Sequence, residues 1–258
     1  MARFEVHDAT LDYTETGAGR AVFELHGLTS SRANSATTGM SFSSALAPDR
    51  RAIAYDARGH GRSTGRAVPE DYRWDRLADD LLTLMDALSP SETVDAVGAS
   101  MGVGTILNAV TRRPDRFGRL VLVIPPTAWE LRAAQSLVYA DSADFIEQQG
   151  LRRFVAASRL LPPPPALGDL RSMPQPDVPE DLLPSLFRGA GMSDLPAPEA
   201  VSQIEQPVLI LAWVDDPGHP MQVAELLFDL LPDVELNVAR TPDDLRAWPQ
   251  MAADHLAD

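Results

Sequence analysis

The chain contains no cysteine. That excludes disulfides, thiol catalysis and thiolate-held metals, and it fits a reducing compartment such as the cytoplasm. Basic residues are scarce: 22 Lys and Arg stand against 37 Asp and Glu, a formal net charge of −15. A field of that sign repels phosphate backbones and anionic lipid, so neither nucleic acid nor membrane is an expected partner. Long hydrophobic runs are also missing. The best stretch, residues 120–129, is broken by Pro125 and Pro126, where a bilayer span takes roughly 20 apolar residues. The first ten residues, MARFEVHDAT, hold no apolar core of a leader, so none is expected. A soluble cytoplasmic protein acting on a small molecule is the expectation, with its oligomeric state left open.

What is present is ordinary for a globular protein: 258 residues, 45% hydrophobic and 23% charged. A chain of this size buries about 70% of its unfolded surface, so disorder of the whole is excluded and no staples are needed. Short apolar, β-branched runs recur at 22–25, 52–55, 93–97, 120–124, 208–213 and 234–238. Near-continuous apolarity is what parallel strands covered on both faces require. Helical spacing fills the gaps. In residues 72–88, Trp74, Leu77, Ala78, Leu81, Met85 and Leu88 recur every three or four positions, and 101–113 and 222–231 read likewise. Strands alternating with helices predict an α/β fold with a mostly parallel sheet of about eight strands and helices on both faces. Residues 4–6 and 11–14 predict an antiparallel hairpin at one edge.

The alternation fails once, between 127 and 206. No strand is predicted there; 130–140 and 143–160 read as helices, and Pro162 to Pro165 favour extended polyproline geometry. The expected organisation is a core of residues 1–126 and 207–258 with a helical, proline-rich cap inserted at 127–206. There is no internal repeat.

The chemistry starts at Gly98-Ala99-Ser100-Met101-Gly102, placed after one predicted strand and opening a helix. A turn that tight has no room for side chains two before or two after the serine, which accounts for both glycines. It would lift the Ser100 hydroxyl above the sheet, beside the positive end of the helix. With these flanks the pentapeptide reads as a nucleophile, not merely as a close-packed glycine turn. Gly102-Val103-Gly104 lacks the further glycine of a phosphate cradle, and no histidine has a companion at metal-ligand spacing. No metal or cofactor is expected.

Three further segments complete a likeness. They are His26-Gly27-Leu28 after the strand at 22–25, Tyr55-Asp56-Ala57-Arg58-Gly59-His60-Gly61-Arg62-Ser63, and Val214-Asp215-Asp216-Pro217-Gly218-His219-Pro220 after the strand at 208–213. With the serine turn, they make the chain resemble the α/β-hydrolase superfamily over nearly its whole length. The resemblance implies that backbone N–H groups of Leu28 and Met101 form an oxyanion hole. It implies that Asp56 and His60 are structural and that His26 holds the oxyanion loop. It also maps the catalytic acid onto Asp216, with Trp213 where the family usually has glycine, and leaves Asp215 as a solvated or capping carboxylate. Glu130 is a second candidate acid, expected in the first cap helix.

The base departs from the family pattern. After the last strand the sequence runs Ala239-Arg240-Thr241-Pro242-Asp243-Asp244-Leu245, with no histidine. His255 belongs to the terminal helix, where a surface residue is expected. A serine hydroxyl cannot attack unaided. His219, three residues after Asp216 in a loop at the carboxyl end of a strand, is either the base or a residue that lines the pocket or caps the next helix. Ser100, Asp216 and His219 are thus the candidate catalytic residues; His26, Gly27, Thr127 and Trp129 are the candidate pocket residues. The expected activity is hydrolysis of a small, largely apolar ester or lactone. The missing histidine keeps two alternatives open: a non-hydrolytic lyase, perhydrolase or cyclase on the same fold, and a dead binding scaffold.

Overall fold

Residues of one parity along the central strands face one side of a sheet, residues of the other parity face the opposite side, and both sides are apolar. Phe23, Ala96, Leu120, Leu122 and Ile210 belong to one buried cluster, whereas Val22, Val97, Val121, Leu209 and Leu211 belong to a second. The computed structural model describes residues 2–47, 49–168 and 174–257. Met1, Pro48 and Asp258, and with 169–173 a part of the stretch 127–206, lie outside the described residues.

Eight strands form one sheet: β1 (Ala2–Val6), β2 (Ala9–Thr16), β3 (Ala21–Leu25), β4 (Arg51–Tyr55), β5 (Val94–Ala99), β6 (Phe117–Val123), β7 (Val208–Trp213) and β8 (Val234–Ala239). Their spatial order is β1-β2-β4-β3-β5-β6-β7-β8. From β4 to β8 neighbours pair in parallel, and only β2 runs against its two neighbours. All residues of β3, β5 and β7 are buried, as strands roofed on both faces must be. The chain leaves β3 toward β4 on one side and returns to β5 on the other. The crevice between β3 and β5 is therefore a switch point, where ligands of open parallel sheets bind.

Ten α-helices are described: α1 (Arg32–Thr38), α2 (Ser43–Leu46), α3 (Trp74–Leu88), α4 (Met101–Val110), α5 (Arg132–Gln149), α6 (Leu151–Ser158), α7 (Leu183–Gly191), α8 (Pro198–Val201), α9 (Met221–Leu230) and α10 (Pro242–Leu256). Helices α3, α4 and α9 cover the first face, and α2 and α10 the second. The segment between β6 and β7 holds no strand among its described residues. Its helices α5 and α7 build a third cluster of their own, Ala143, Ile146, Leu183, Leu186 and Phe187, against Tyr72. Arg188 ties the two helices through Glu147 and Asp144, at 2.8 and 2.7 Å. The buried Arg132 joins them to the core: its guanidinium lies 4.3 Å from the Trp74 ring centroid and donates to the carbonyls of Ser193 and Ala190 beyond and within α7.

One expectation is corrected in this segment. The helical break predicted at 141–142 is absent, and α5 continues to Gln149, because Asp141-Ser142 imposes no backbone constraint that a helix cannot carry. The break falls at Gly150, whose φ of 80° ends one helix and starts the next. The polyproline expectation is met at Pro164, at φ −53° and ψ 142°, before a short turn begins at Pro165. No described helix is long and apolar enough to cross a membrane.

The contact between α3 and α4 is tight enough to test. A Cβ built on Gly104 would stand 2.2 Å from Cε3 of the buried Trp74. Gly104→Ala should lower the unfolding free energy by about 1–2 kcal/mol in urea titrations, since the strain of overpacking exceeds the gain in helix propensity. An unchanged midpoint would show that Trp74 can step aside.

Candidate active site

Ser100 follows β5 directly and stands immediately before α4, with φ 51° and ψ −108°. A non-glycine residue rarely adopts such a backbone, and its neighbours enforce it. Its N–H donates to Val123 O on β6 at 2.9 Å. On the far side, a Cβ at Gly102 would stand 2.7 Å from Leu25 O, and one at Gly98 2.7 Å from the Gly102 carbonyl. No other residue allows β3, β5 and α4 to approach so closely. The serine side chain is thereby pushed out of the sheet at the switch point, where Gly27 packs on it: a Cβ there would lie 3.4 Å from Ser100 Cβ.

The loop after β7 supplies the partners. His219 Nε2 accepts from Ser100 Oγ at 2.7 Å, and His219 Nδ1–H donates to Asp216 Oδ2 at 2.8 Å. A carboxylate can only accept, so Asp216 fixes the tautomer that leaves Nε2 free to take a proton. Asp216 is held in turn by Trp213 Nε1–H and by the Gly218 N–H, each at 2.9 Å. Burial works against its charge, but the bonds from His219, Gly218 and Trp213 outweigh it and hold its pKa below the usual carboxylate value. Trp213 meets the imidazole edge-on and stacks on the fully buried Trp248 of α10. A hydroxyl, an imidazole and a carboxylate in line can activate the oxygen and shuttle its proton.

The structure places the remaining candidates as follows. Asp215 is exposed at φ 60°, and Glu130 is exposed in the turn before α5. His255 lies on α10 near the Pro207 backbone, where β7 begins and opposite the strand ends that carry Ser100. Leu28 and Gly27 line the cleft with Ser100, Asp216 and His219. The Met101 N–H is the first of α4 and so has no intrahelical acceptor. His26 is buried away from the cleft: its Nδ1–H donates to Gly27 O at 2.8 Å and its Nε2 accepts from the Ala57 N–H at 2.9 Å. Thr127 and Trp129 do not line the cleft either. Thr127 is buried under Arg132, and Trp129 donates its indole N–H to Pro196 O at 3.0 Å, because φ 51° at Trp129 turns the chain away. Asp56 anchors the loop below, accepting from Arg32 and the Arg62 N–H at 3.0 Å.

Sequence reasoning missed most of the cleft, which measures about 230 Å³. Asn34, Ser35 and Thr38 of α1 give it one polar wall, while Met40, Ile124 and Leu167 add apolar lining. Helix α1 reads RANSATT with no apolar period, so nothing in the pattern marked it. Trp213 did leave a signal: it occupies the position where the likeness called for glycine.

An eight-stranded α/β sheet with a serine on a strained strand-to-helix turn at its switch point defines a class of protein, and the comparisons agree. Residues 20–154, just over half of the chain, match the family model described as alpha/beta hydrolase fold, and the chain belongs to that family. An epoxide hydrolase of Caballeronia sordidicola is 39% identical over 108 residues, which are 42% of this chain but only 32% of that protein. A bifunctional esterase/perhydrolase of Acinetobacter calcoaceticus is 28% identical over 190 residues, 67% of each chain. Among solved structures, the enol-lactonase from Burkholderia xenovorans LB400 superposes over 100% of both chains with a TM-score of 0.81 at 20% identity, a likeness of fold.

The two buried histidines make stability depend on pH. His60 is fully buried, 5.0 Å from the His26 ring, and burial first, then His26, lower its pKa from 6.5 to about 3. The fold holds the ring neutral, so the unfolded chain takes up a proton first. Stability is therefore full above pH 6.5 and falls as pH drops from 6.5 toward 3. Between pH 7.5 and 5.5, wild type should lose about 1 kcal/mol more unfolding free energy than His60→Gln in urea titrations. Equal losses in the two proteins would place the acid sensitivity elsewhere.

Proposed function

We propose that the protein is a serine hydrolase that cleaves a small, largely apolar ester or lactone through a covalent acyl-enzyme. The observation that carries this reading is the unbroken line from Ser100 Oγ through His219 to Asp216, at 2.7 and 2.8 Å. In this reading His219 takes the Ser100 proton as the oxygen attacks the carbonyl carbon. It then hands that proton to the departing alkoxide. Asp216 orients the ring and stabilises the imidazolium. The N–H groups of Leu28 and Met101 receive the tetrahedral oxyanion, and Gly27 leaves space for them to do so. Water, activated by the same imidazole, then releases the acid and restores the serine.

The helices of 127–206 act as a cap over the strand ends, with residues 1–126 and 207–258 as the catalytic core. Pro164 and Leu167 from this stretch line the cleft, which supports a role in substrate choice. The non-hydrolytic and inert readings drew on the lack of histidine after β8. The His219 hydrogen bond to Ser100 supplies a base in its place and supports an active serine over an inert scaffold. The Acinetobacter relative is named for both esterase and perhydrolase activity, which supports serine chemistry on acyl groups without choosing between the two.

Turnover of p-nitrophenyl acetate checks the assignment. Ser100→Ala and His219→Ala should each lower kcat by about 10⁴–10⁶-fold, and the double variant should be little worse, because groups that act as one unit are not additive. His255→Ala should stay close to wild type. Full activity in His219→Ala, or no labelling of Ser100 by a fluorophosphonate in the wild type, would overturn the reading.

A further inference from the structure

A second and larger cavity adjoins the cleft. It measures about 570 Å³ and shares Thr29, Pro164 and Pro174 with the space beside Ser100. Its walls are mainly apolar, with Phe154 and Val155 of α6, Phe187 of α7, and Leu161 and Pro163 beyond α6. At α6 it meets a groove of about 340 Å³ that shares Val155 and Arg159 with it and also carries Arg152. Arg152 and Arg159 are exposed, seven residues apart on one face of α6 and its end. Neither forms an ion pair among the described residues, in a chain with 37 carboxylate side chains. The one acidic residue described in the groove, Glu180, accepts from the Leu151 N–H at the start of α6 through Oε1, 2.8 Å away, and leaves two arginines against a single carboxylate there. The third arginine of the helix, Arg153, bonds to the neutral amide of Gln149.

A protein of net charge −15 that holds, at the rim of an apolar cavity, two cations without an ion pair among the described residues offers a local well for an anion. We infer that the natural substrate is amphipathic: one arm of the ester or lactone is an apolar chain lying in the α6–α7 cavity, and that arm ends in an anion, a carboxylate or its like, met by Arg159 and Arg152. The chemistry of cleavage rests on the hydrolytic reading of Ser100. The binding of the arm does not.

Two measurements separate them. Two ester series are compared with neutral esters of equal length: p-nitrophenyl hemiesters of α,ω-dicarboxylic acids for an acyl arm, and acetates of ω-hydroxy acids for an alkoxy arm. In one series kcat/KM should pass through a maximum with chain length and exceed the neutral partner by about 3–10-fold. That is the size expected of two exposed charge contacts. Arg152→Gln/Arg159→Gln should erase this preference through KM, Arg159→Glu should invert it, and added salt should weaken it in wild type. p-Nitrophenyl acetate should be cleaved alike by all of these proteins. Independently of turnover, calorimetry on Ser100→Ala should detect binding of decanedioate that is lost in the doubly substituted background. If acetate is cleaved but neutral chains do as well as anionic ones in both series, the inference fails while the hydrolase stands. If acetate is not cleaved, decanedioate binding that requires the two arginines still supports the inference, and its absence overturns it.

Discussion

Three backbone segments converge on one residue. Ser100 can hold φ 51° only while Val123 O takes its N–H, Gly102 lies against Leu25 O and Gly98 against Gly102. Each of those contacts ties a different part of the fold to the elbow: β6 from one side, β3 from the other, α4 from above. The strain is of order 1–3 kcal/mol and is borne by strands with no exposed residue to yield. The position of the hydroxyl is therefore set by the core of the protein and not by a surface loop. The rest of the proposed site is arranged around a point that cannot drift.

The acid and base are arranged quite differently. Asp216 and His219 occupy a single turn, closed by the His219 N–H on Asp216 O at 3.1 Å. Only one element, β7, has to be positioned for both to arrive. The segment after β8, where the likeness called for histidine, is committed to another task. Thr241 and Asp244 form a reciprocal cap, with Pro242 at the first helical position, so α10 begins at once and no loop is left to reach back over the sheet.

The sheet and the elbow were legible because each depends on short-range pattern. Continuous apolar runs marked the buried strands, and two glycines at fixed offsets from a serine marked the turn. His219 was legible only as an alternative, since the residues around it do not say where the loop points; β7 pairing beside β6 decides that. The walls of the cleft were not legible. Asn34, Ser35 and Thr38 belong to a short helix with no apolar stripe, and they reach the site because α1 is fixed at Arg32 by Asp12 and Asp56 across the chain. Trp129 was expected at the pocket and instead bonds to Pro196. The sign of a φ angle decides where a side chain points, and composition does not encode it. The break in the helices between β6 and β7 was misplaced for a related reason: an Asp-Ser pair can cap a helix but need not, whereas Gly150 at φ 80° ends one.

The stacked indoles give the carboxyl-terminal helix a part to play. Trp248 of α10 lies against Trp213, and Trp213 donates to the same Asp216 oxygen that receives the His219 proton donor. A chain with its histidine between β8 and α10 would use this end of the fold to deliver a reactive group. Here the same end delivers a rigid backstop: two aromatic planes, one fully buried, set the angle of a carboxylate two layers away. The terminal helix is coupled to the proposed chemistry by contact and not by proton transfer, and the rigidity of a single ring pair does the work that elsewhere falls to a loop.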